Sequence, residues 1–332
     1  MPLPAERTMS SPWLTECERE LIHQPGAIQS WGALLIADEA ELIVRYASAN
    51  LADYIQVSAA DAIGKPVGAV LEPETAARLV AAAVSEPRPG SAVACAEPAG
   101  DRPALTLSSY RLNGSIYIEL ELPAEATHAV TWSDARAVIE AIRGARSLPS
   151  LMTIAAAELR RATGFDRSMV YRFDAIGHGE VVAENCAPDL ESFLGLHYPA
   201  SDVPRQARRL YLRQRVRAIE DALAAPVPLA GSAGGSATPD LSLSALRAVS
   251  PVHLQYLRNM AVRATIAVSL TVDGALWGML VCHHRGPRRA DPGTRALADL
   301  IGQVTSLMIG TLRDAEARTA EATAPGSGHN PR

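Results

Sequence analysis

The segment at residues 198–217 contains side chains that could hold a charged ligand. Asp202 lies between Pro199 and Pro204, which fix φ and push the residues before them out of the helical region. Its carboxylate is therefore expected on a stiff, non-helical backbone. Six arginines then follow within thirteen residues, namely Arg205, Arg208, Arg209, Arg213, Arg215 and Arg217. Such a run predicts either a pocket for a large anion with an apolar body or a capped helix with solvated arginines.

A second polar group lies in residues 247–256. Arg247, Ser250, His253 and Tyr256 occur there at spacings that could converge on one cavity. A hydrogen-bonded structural network explains the same residues equally well. The chain has no Ser-His-Asp order, no glycine-rich phosphate loop and no His-Glu-x-x-His motif, so we assign no catalytic residues.

The tripeptide Cys282-His283-His284 suggests a metal site at first sight. In a strand, however, successive side chains point to opposite faces, so His283 cannot join its two neighbours around one ion. We therefore predict no metal site. At the end of a core strand, His283 would instead have one ring nitrogen free to meet a buried ligand.

Length, charge and cysteine spacing restrict the class of protein. A chain of 332 residues predicts two domains. The net charge of −5 disfavours nucleic acid and anionic membranes as partners. The four cysteines are far apart and form no Cys-x-x-Cys pair, which favours a reducing compartment over a disulfide framework or zinc ribbon. Without a signal peptide or a long apolar run, a soluble cytoplasmic protein is expected.

The first half of the chain predicts a small antiparallel α+β domain. Two apolar runs flank a turn within residues 33–47, and an alanine-rich helix follows at 73–86. Asn113-Gly114 joins two strand-like runs and is a strong hairpin signal. The predicted strands after the helix are 91–96, 104–112 and 115–122.

The second half predicts another antiparallel sheet flanked by helices. Asp273-Gly274 is the hairpin signal here, and residues 230–240 have the composition of a flexible loop. The predicted elements are helices within 133–163, strands at 167–174 and 180–184, a helix at 253–260, strands at 265–272 and 276–284, and a last helix at 294–320. That last helix carries an apolar stripe, which could serve its own domain or a partner helix. The stripe comprises Leu297, Ile301, Val304, Met308 and Leu312.

Six segments together resemble the PAS and GAF domains of a bacteriophytochrome. They are CERELIHQPGAIQ (17–29), MVYRF (169–173), GHGEVV (177–182), YPASDVP (198–204), LRAVSPVHLQYLRNM (246–260) and LWGMLVCHH (276–284). The resemblance implies an N-terminal arm at 1–20, a PAS domain at 21–125, a GAF domain at 130–316 and a disordered tail at 317–332. It also implies a figure-of-eight knot, in which the arm passes through a loop of the GAF domain with Ile28 at the crossing.

The resemblance implies a red/far-red photoreceptor that binds biliverdin IXα, an open-chain tetrapyrrole whose photoisomerisation acts as a switch. Cys17 corresponds to the thioether attachment point. Arg217 and Arg247, with Ser250 and Thr265, correspond to the propionate-binding positions. Asp202 and His253 correspond to groups near the pyrrole nitrogens, and His283 to the partner of the D-ring carbonyl. The residues that correspond to the apolar walls are Tyr171, Tyr198, Val203, Pro204, Tyr211, Tyr256 and Met260.

Two departures from the family pattern are visible. Ser30-Trp31 replaces the usual Pro-His after Gln29, so a different local turn is expected. The chain also carries no PHY domain and no histidine-kinase module, so we expect a photoreceptor without kinase activity. In this family, GAF helices often meet in a parallel bundle, which implies a homodimer and a separate downstream signalling partner. The alternatives are a GAF-type sensor of haem or a cyclic nucleotide, and an interaction module without a ligand.

We predict that biliverdin attaches covalently through Cys17. Because a thioether survives denaturation, zinc-induced fluorescence of the denatured protein band is expected in the parent chain and should vanish in Cys17→Ser. Noncovalent binding should partly remain, since the arginines and walls are unchanged. An adduct that persists in Cys17→Ser would place the linkage on another residue.

Overall fold

The computed structural model describes residues 20–85, 92–96, 104–123, 131–232 and 238–323. The predicted attachment residue Cys17 lies outside these residues, as do the rest of the arm at 1–19 and the end of the tail at 324–332. Within the described ranges, no helix combines the length and apolar character needed to cross a bilayer.

The first domain is an antiparallel sheet covered by short helices on one face. In the hairpin between its last two strands, Asn113 and Gly114 adopt φ of 49° and 74°, as the Asn-Gly signal predicts. The helices pack on one face of the sheet through residues such as Leu51 and Leu79, both fully buried. Its elements are β1 Ala27–Ile28, β2 Gly32–Asp38, β3 Val44–Ser48, α1 Ala52–Ile55, α2 Ala59–Ala62, α3 Val67–Val70, α4 Pro73–Ser85, β4 Ala92–Ala96, β5 Leu105–Leu112 and β6 Ser115–Glu121.

The second domain is a six-stranded antiparallel sheet in the order β10-β12-β13-β7-β8-β9. Asp273 and Gly274 again adopt positive φ in the hairpin turn. Its elements are α5 Trp132–Arg143, α6 Leu148–Thr163, β7 Arg167–Phe173, β8 Gly179–Cys186, β9 His197–Tyr198, a 3-10 turn Ala200–Asp202, α7 Arg205–Arg213, β10 Val216–Ile219, β11 Val227–Gly231, α8 Pro251–Asn259, β12 Ala264–Val272, β13 Ala275–His284 and α9 Pro292–Thr323. The predicted α+β fold with two antiparallel sheets is confirmed.

Alternation along the central strands divides the second domain into two sides. Val268 and Cys282 point into the main core, which packs against α5, α6 and α9. Met279 belongs to a separate aromatic cluster on the other face. Because the side-chain period of a strand is two, each of these strands contributes to both sides.

Strand β11 belongs to the sheet of the first domain. That sheet has seven strands in the order β1-β11-β3-β2-β6-β5-β4. Residues 230–231, predicted as part of a flexible loop, are therefore strand, with Ala230 opposite Ala47 and Gly231 opposite Tyr46. Composition alone misses this pairing because the partner strand β3 is far away in the chain. The unpaired backbone groups at the edge of β3 are satisfied when β11 adds to the sheet.

The chain around Ile28 lies between two arms of the loop that connects β10 to α8. Ile28 pairs with Val227 on one side and bridges Arg247 on the other. Backbone hydrogen bonds extend both contacts, including Gln29 N to the carbonyl of Leu246 at 2.7 Å. These contacts agree with a crossing at Ile28, and the knot itself stays a prediction.

The Ser30-Trp31 departure forms a turn that leads into β2. There the guanidinium of Arg295, from α9, lies 5.0 Å from the centroid of the Trp31 ring. Arg295 also donates to both oxygens of Glu121 at 2.7 and 2.9 Å. The substituted turn therefore belongs to a contact between the first domain and the last helix.

The apolar stripe of α9 serves its own domain. Leu297 and Ile301 are 4% and 0% exposed in the main core, and the remaining stripe residues pack against it. Val304, Met308 and Leu312 are only partly buried, and the homodimer stays a prediction. The helix also runs to Thr323, so residues 317–323, predicted as disordered tail, are helical.

We predict that Ile301→Ala lowers the free energy of unfolding by about 2–5 kcal/mol, because it leaves a cavity in the core. Leu307, 71% exposed on the same helix, is the matched control, and Leu307→Ala should change that free energy by less than about 0.5 kcal/mol. Urea unfolding at two protein concentrations measures both. A loss for Ile301→Ala that depends on protein concentration would assign the stripe to a partner helix instead.

Candidate functional site

A cavity of about 320 Å³ lies on the face of the second sheet that is remote from α9. Its lining comes from β7, β12, β13, α8 and the segment that contains Asp202. Every predicted binding residue within the described ranges lines it. These residues are Tyr171, Tyr198, Asp202, Val203, Pro204, Tyr211, Arg217, Arg247, Ser250, His253, Tyr256, Met260, Thr265 and His283. The roles of these residues toward a ligand stay predictions.

Asp202 lies between its two flanking prolines but belongs to a 3-10 turn, so the predicted non-helical backbone is wrong at this residue, because Pro204 restricts Val203 and not Asp202. Pro199 and Pro204 have ψ of 154° and 160°, so both are extended, and Asp202 ends the 3-10 turn between them. Burial raises the pKa of Asp202, and hydrogen bonds from Tyr256 and Ser201 partly oppose that shift. The carboxylate is thus held against the cavity wall by a tyrosine.

Of the arginine run, only Arg217 lines the cavity. Arg208 donates to the carbonyl of Val203 at 2.7 Å and covers the ring of Phe173. Arg215 makes two 2.7 Å bonds with Asp299. The prediction of an anion pocket is therefore supported for one member of the run, while the others hold local structure or face solvent.

Arg217 and Arg247, here called the arginine pair, have no carboxylate partner; Arg247 is buried and Arg217 is partly buried. Arg217 donates to the carbonyls of Ala245, Arg247 and Ala248. Arg247 donates to the carbonyl of Ser242 at 3.2 Å. In the described part of the chain, no acidic oxygen forms a salt bridge with either guanidinium.

Burial lowers the pKa of both arginines. For Arg217 the pKa is well below its usual value, and the charge of Arg247 contributes to the shift. For Arg247 the pKa falls to about 10. Two like charges in an apolar cavity are costly unless an anion joins them, so the site is suited to a ligand with acidic groups.

His253 and His283 are neutral imidazoles in this setting. Burial lowers the pKa of His253 to about 4, with a further contribution from Arg217. Burial lowers the pKa of His283 to about 3, with contributions from Arg167 and His253. A neutral imidazole offers one donor and one acceptor. The Nδ1 atom of His283 is buried and has no hydrogen-bond partner among the described residues, while the residue as a whole lines the cavity.

The neighbours of His283 point elsewhere, as strand alternation predicts. Cys282 is fully buried in the main core, and burial raises the pKa of its thiol to about 12. His284 lies 2.9 Å from a carboxylate oxygen of Asp166. The described residues contain no cluster of His, Cys, Asp and Glu suited to a metal ion.

Sequence reasoning missed several lining residues that strand alternation could have identified. Met169 shares a face with Tyr171 on β7, Ala267 shares one with Thr265 on β12, and Met279 and Val281 share one with His283 on β13. Strand alternation could not have identified Glu20, because this residue lies outside the strands. It lines the cavity and accepts a 2.7 Å hydrogen bond from Ser250 Oγ.

The sequence matches two families of domains in the order that the structure shows. The PAS fold family matches residues 17–123, and the GAF domain family matches residues 147–309. The cavity lies in the domain that corresponds to the second match. This arrangement defines the class as a PAS-GAF sensory region.

Comparison with solved structures identifies the family. The chromophore-binding domain of an unusual bacteriophytochrome from R. palustris is 37% identical, with a TM-score of 0.81, over 90% of this chain and 99% of that one. The chromophore-binding domain of a phytochrome from Stigmatella aurantiaca is 35% identical, also with a TM-score of 0.81. The match covers 88% of this chain and 99% of that one. The chain belongs to the bacteriophytochrome family, as a PAS-GAF photosensory module.

Full-length relatives extend well beyond the matched region. The bacteriophytochrome of Xanthomonas campestris is 37% identical over 315 residues, which are 90% of this chain and 48% of that protein. The bacteriophytochrome of Pseudomonas aeruginosa is 35% identical over 314 residues, which are 93% of this chain and 42% of that protein. The chain thus spans less than half the length of these relatives.

Close packing at Gly179 generates a prediction about the cavity wall. A Cβ at this position would lie 1.8 Å from Cζ of Tyr171, and that buried ring lines the cavity. We expect Gly179→Ala to displace the ring and to lower the free energy of unfolding by about 1–3 kcal/mol, as overpacking does. Chemical denaturation measures the loss.

Gly286→Ala is the control, because its Cβ would meet nothing closer than 3.9 Å. In a Tyr171→Ala background, Gly179→Ala should cost little, since the obstructing ring is gone. An equal cost in both backgrounds would show that the ring is not the obstacle.

Proposed function

We propose that the chain binds biliverdin in this cavity and acts as a red/far-red photoreceptor. The observation that carries the proposal is the arginine pair, which lacks carboxylate partners and faces a cavity lined by tyrosines and methionines. Biliverdin has two propionates, which can pair with the arginines, and a flat apolar body, which suits the tyrosine and methionine walls. Membership of the bacteriophytochrome family supports the same ligand.

Several polar groups of the cavity have a task in this proposal. Arg217 and Arg247 bind the propionates, with the Ser250 and Thr265 hydroxyls beside them. The carbonyl of Asp202 accepts from pyrrole N–H groups beside His253. Bound biliverdin supplies light absorption and isomerisation next to its D ring, while the protein supplies binding and orientation.

Two residues act at opposite ends of the ligand. The imidazole of His283, which lines the cavity, is suited to the D-ring carbonyl, because a neutral imidazole can donate there without carrying charge into an apolar site. Cys17 attaches the A ring. Addition of its thiol across the vinyl group forms a C–S bond and transfers the thiol proton to the neighbouring vinyl carbon.

The test is an absorbance spectrum after addition of biliverdin, recorded in darkness and after red illumination. We expect a long-wavelength band that changes reversibly with light. The double variant Arg217→Ala with Arg247→Ala should bind at least about a hundredfold more weakly, since two charge-assisted contacts are lost.

Arg209→Ala is the matched control, because Arg209 belongs to the same run but is exposed. A haem sensor would instead show a Soret-dominated spectrum with haem and no photochromic band with biliverdin. Unchanged affinity in the double variant would remove the arginine pair from the proposal.

A homodimer through GAF helices stays part of the proposal in a restricted form. The stripe of α9 packs against its own core, so a partner helix would have to meet the outward face that carries Leu307. Light scattering at high protein concentration measures the oligomeric state, and a monomer there would remove this part.

A further inference from the structure

A carboxylate of the first domain reaches the loop that carries the arginine pair. Glu119 lies on β6 and is 3% exposed. Its strand neighbours Ile118 and Leu120 point into the core of the first domain, so Glu119 points to the opposite face of the sheet. There Oε1 accepts hydrogen bonds from Ser244 Oγ at 2.6 Å and from Ala245 N at 2.9 Å.

The segment bound by Glu119 determines where both guanidiniums lie. Ser244 Oγ also accepts from Leu246 N at 3.1 Å, which closes a tight turn. The carbonyl of Ala245 accepts from Arg217 Nη1 at 3.3 Å. Arg247 lies two residues after Ala245, and its own carbonyl accepts a hydrogen bond from Arg217 Nη2. One short turn thus supports the acceptors of Arg217 and the backbone of Arg247.

Burial of the Glu119 carboxylate is energetically unfavourable. In the described structure Glu119 forms no salt bridge, unlike Glu121 two residues along the strand, which pairs with Arg295. Burial raises the pKa of Glu119 to about 7, and the charge of Glu121 adds to the shift. A buried acid without a cation is unfavourable for stability alone, whereas a rigid double acceptor is what the turn at residues 244–246 requires.

We propose that Glu119 is a positioning residue for bilin binding, which holds residues 244–246 so that Arg217 and Arg247 face the propionates. The inference rests on the proposed function. It gives the PAS domain a part in the binding site although no residue of β6 lines the cavity.

The test compares two substitutions of Glu119 in a Cys17→Ser background, where binding is reversible. Biliverdin is titrated and the Kd is read from absorbance. Glu119→Ala removes both accepted bonds, and we expect a Kd about tenfold higher. Glu119→Gln keeps one oxygen that can accept both bonds, so it should stay within about twofold of the parent. Because Gln also preserves the volume of the side chain, Ser244→Ala is needed to separate hydrogen bonding from packing, since it removes one accepted bond and leaves Glu119 in place.

Ser109→Ala controls for damage to the first domain. Ser109 is buried in the neighbouring strand and donates to the carbonyl of Leu79 at 2.7 Å, so its loss weakens the same sheet without touching the loop. Its Kd should equal that of the parent. If Glu119→Ala does not fold, Ser244→Ala removes one of the same bonds from the other partner and should also raise the Kd.

A double-mutant cycle shows whether Glu119 acts through the arginine pair. In a background with both Arg217→Ala and Arg247→Ala, Glu119→Ala should raise the Kd by less than about twofold, because both groups it positions are gone. A full additional tenfold loss, or equal weakening by Gln and Ala, would overturn the inference. If Glu119→Ala binds like the parent, only the role of Glu119 fails. If the parent with Cys17 intact binds no biliverdin, the proposed function fails with it.

Discussion

Burial of two guanidiniums beside one cavity is the constraint on which the rest of the binding domain depends. Burial lowers the pKa of both Arg217 and Arg247, the charge of Arg247 lowers that of Arg217 further, and both have only carbonyl oxygens as partners in the described structure. Carbonyl dipoles offset part of the cost of burying charge but do not neutralise it. The loop must therefore present its carbonyls in a fixed arrangement, and the remaining charge favours an anionic ligand.

The two faces of the second sheet separate stability from binding. On β13, Cys282 belongs to the core while His283 faces the cavity. The core is closed by the apolar stripe of α9, and the cavity is closed by the segment around Asp202 and by α8. Because both sides share the same strands, a change at the cavity can reach the packing of α9 through a single sheet. The burial of the stripe makes α9 part of this unit.

The two domains form one structure around the loop between β10 and α8. Strand β11 adds to the first sheet, Ile28 lies between the arms of the loop, and Glu119 binds the turn before Arg247. Arg295 joins Glu121 to α9 beside Trp31. The PAS sheet therefore contacts both the loop behind the cavity and the start of the last helix.

Local chemistry by itself determined the strands and the two hairpin turns, because short-range backbone preferences act within a few residues. It did not determine the 3-10 turn at Asp202, since a proline restricts only the residue directly before it. Alternation also determined that His283 points away from Cys282 and His284. The cavity residues came from resemblance to a family, and the structure brings those within its described ranges together. Only the tertiary structure decided that β11 joins the first sheet and that the stripe of α9 packs against the core of its own domain. Each depends on partners far away in the chain, and periodicity shows that a face is apolar without showing what covers it.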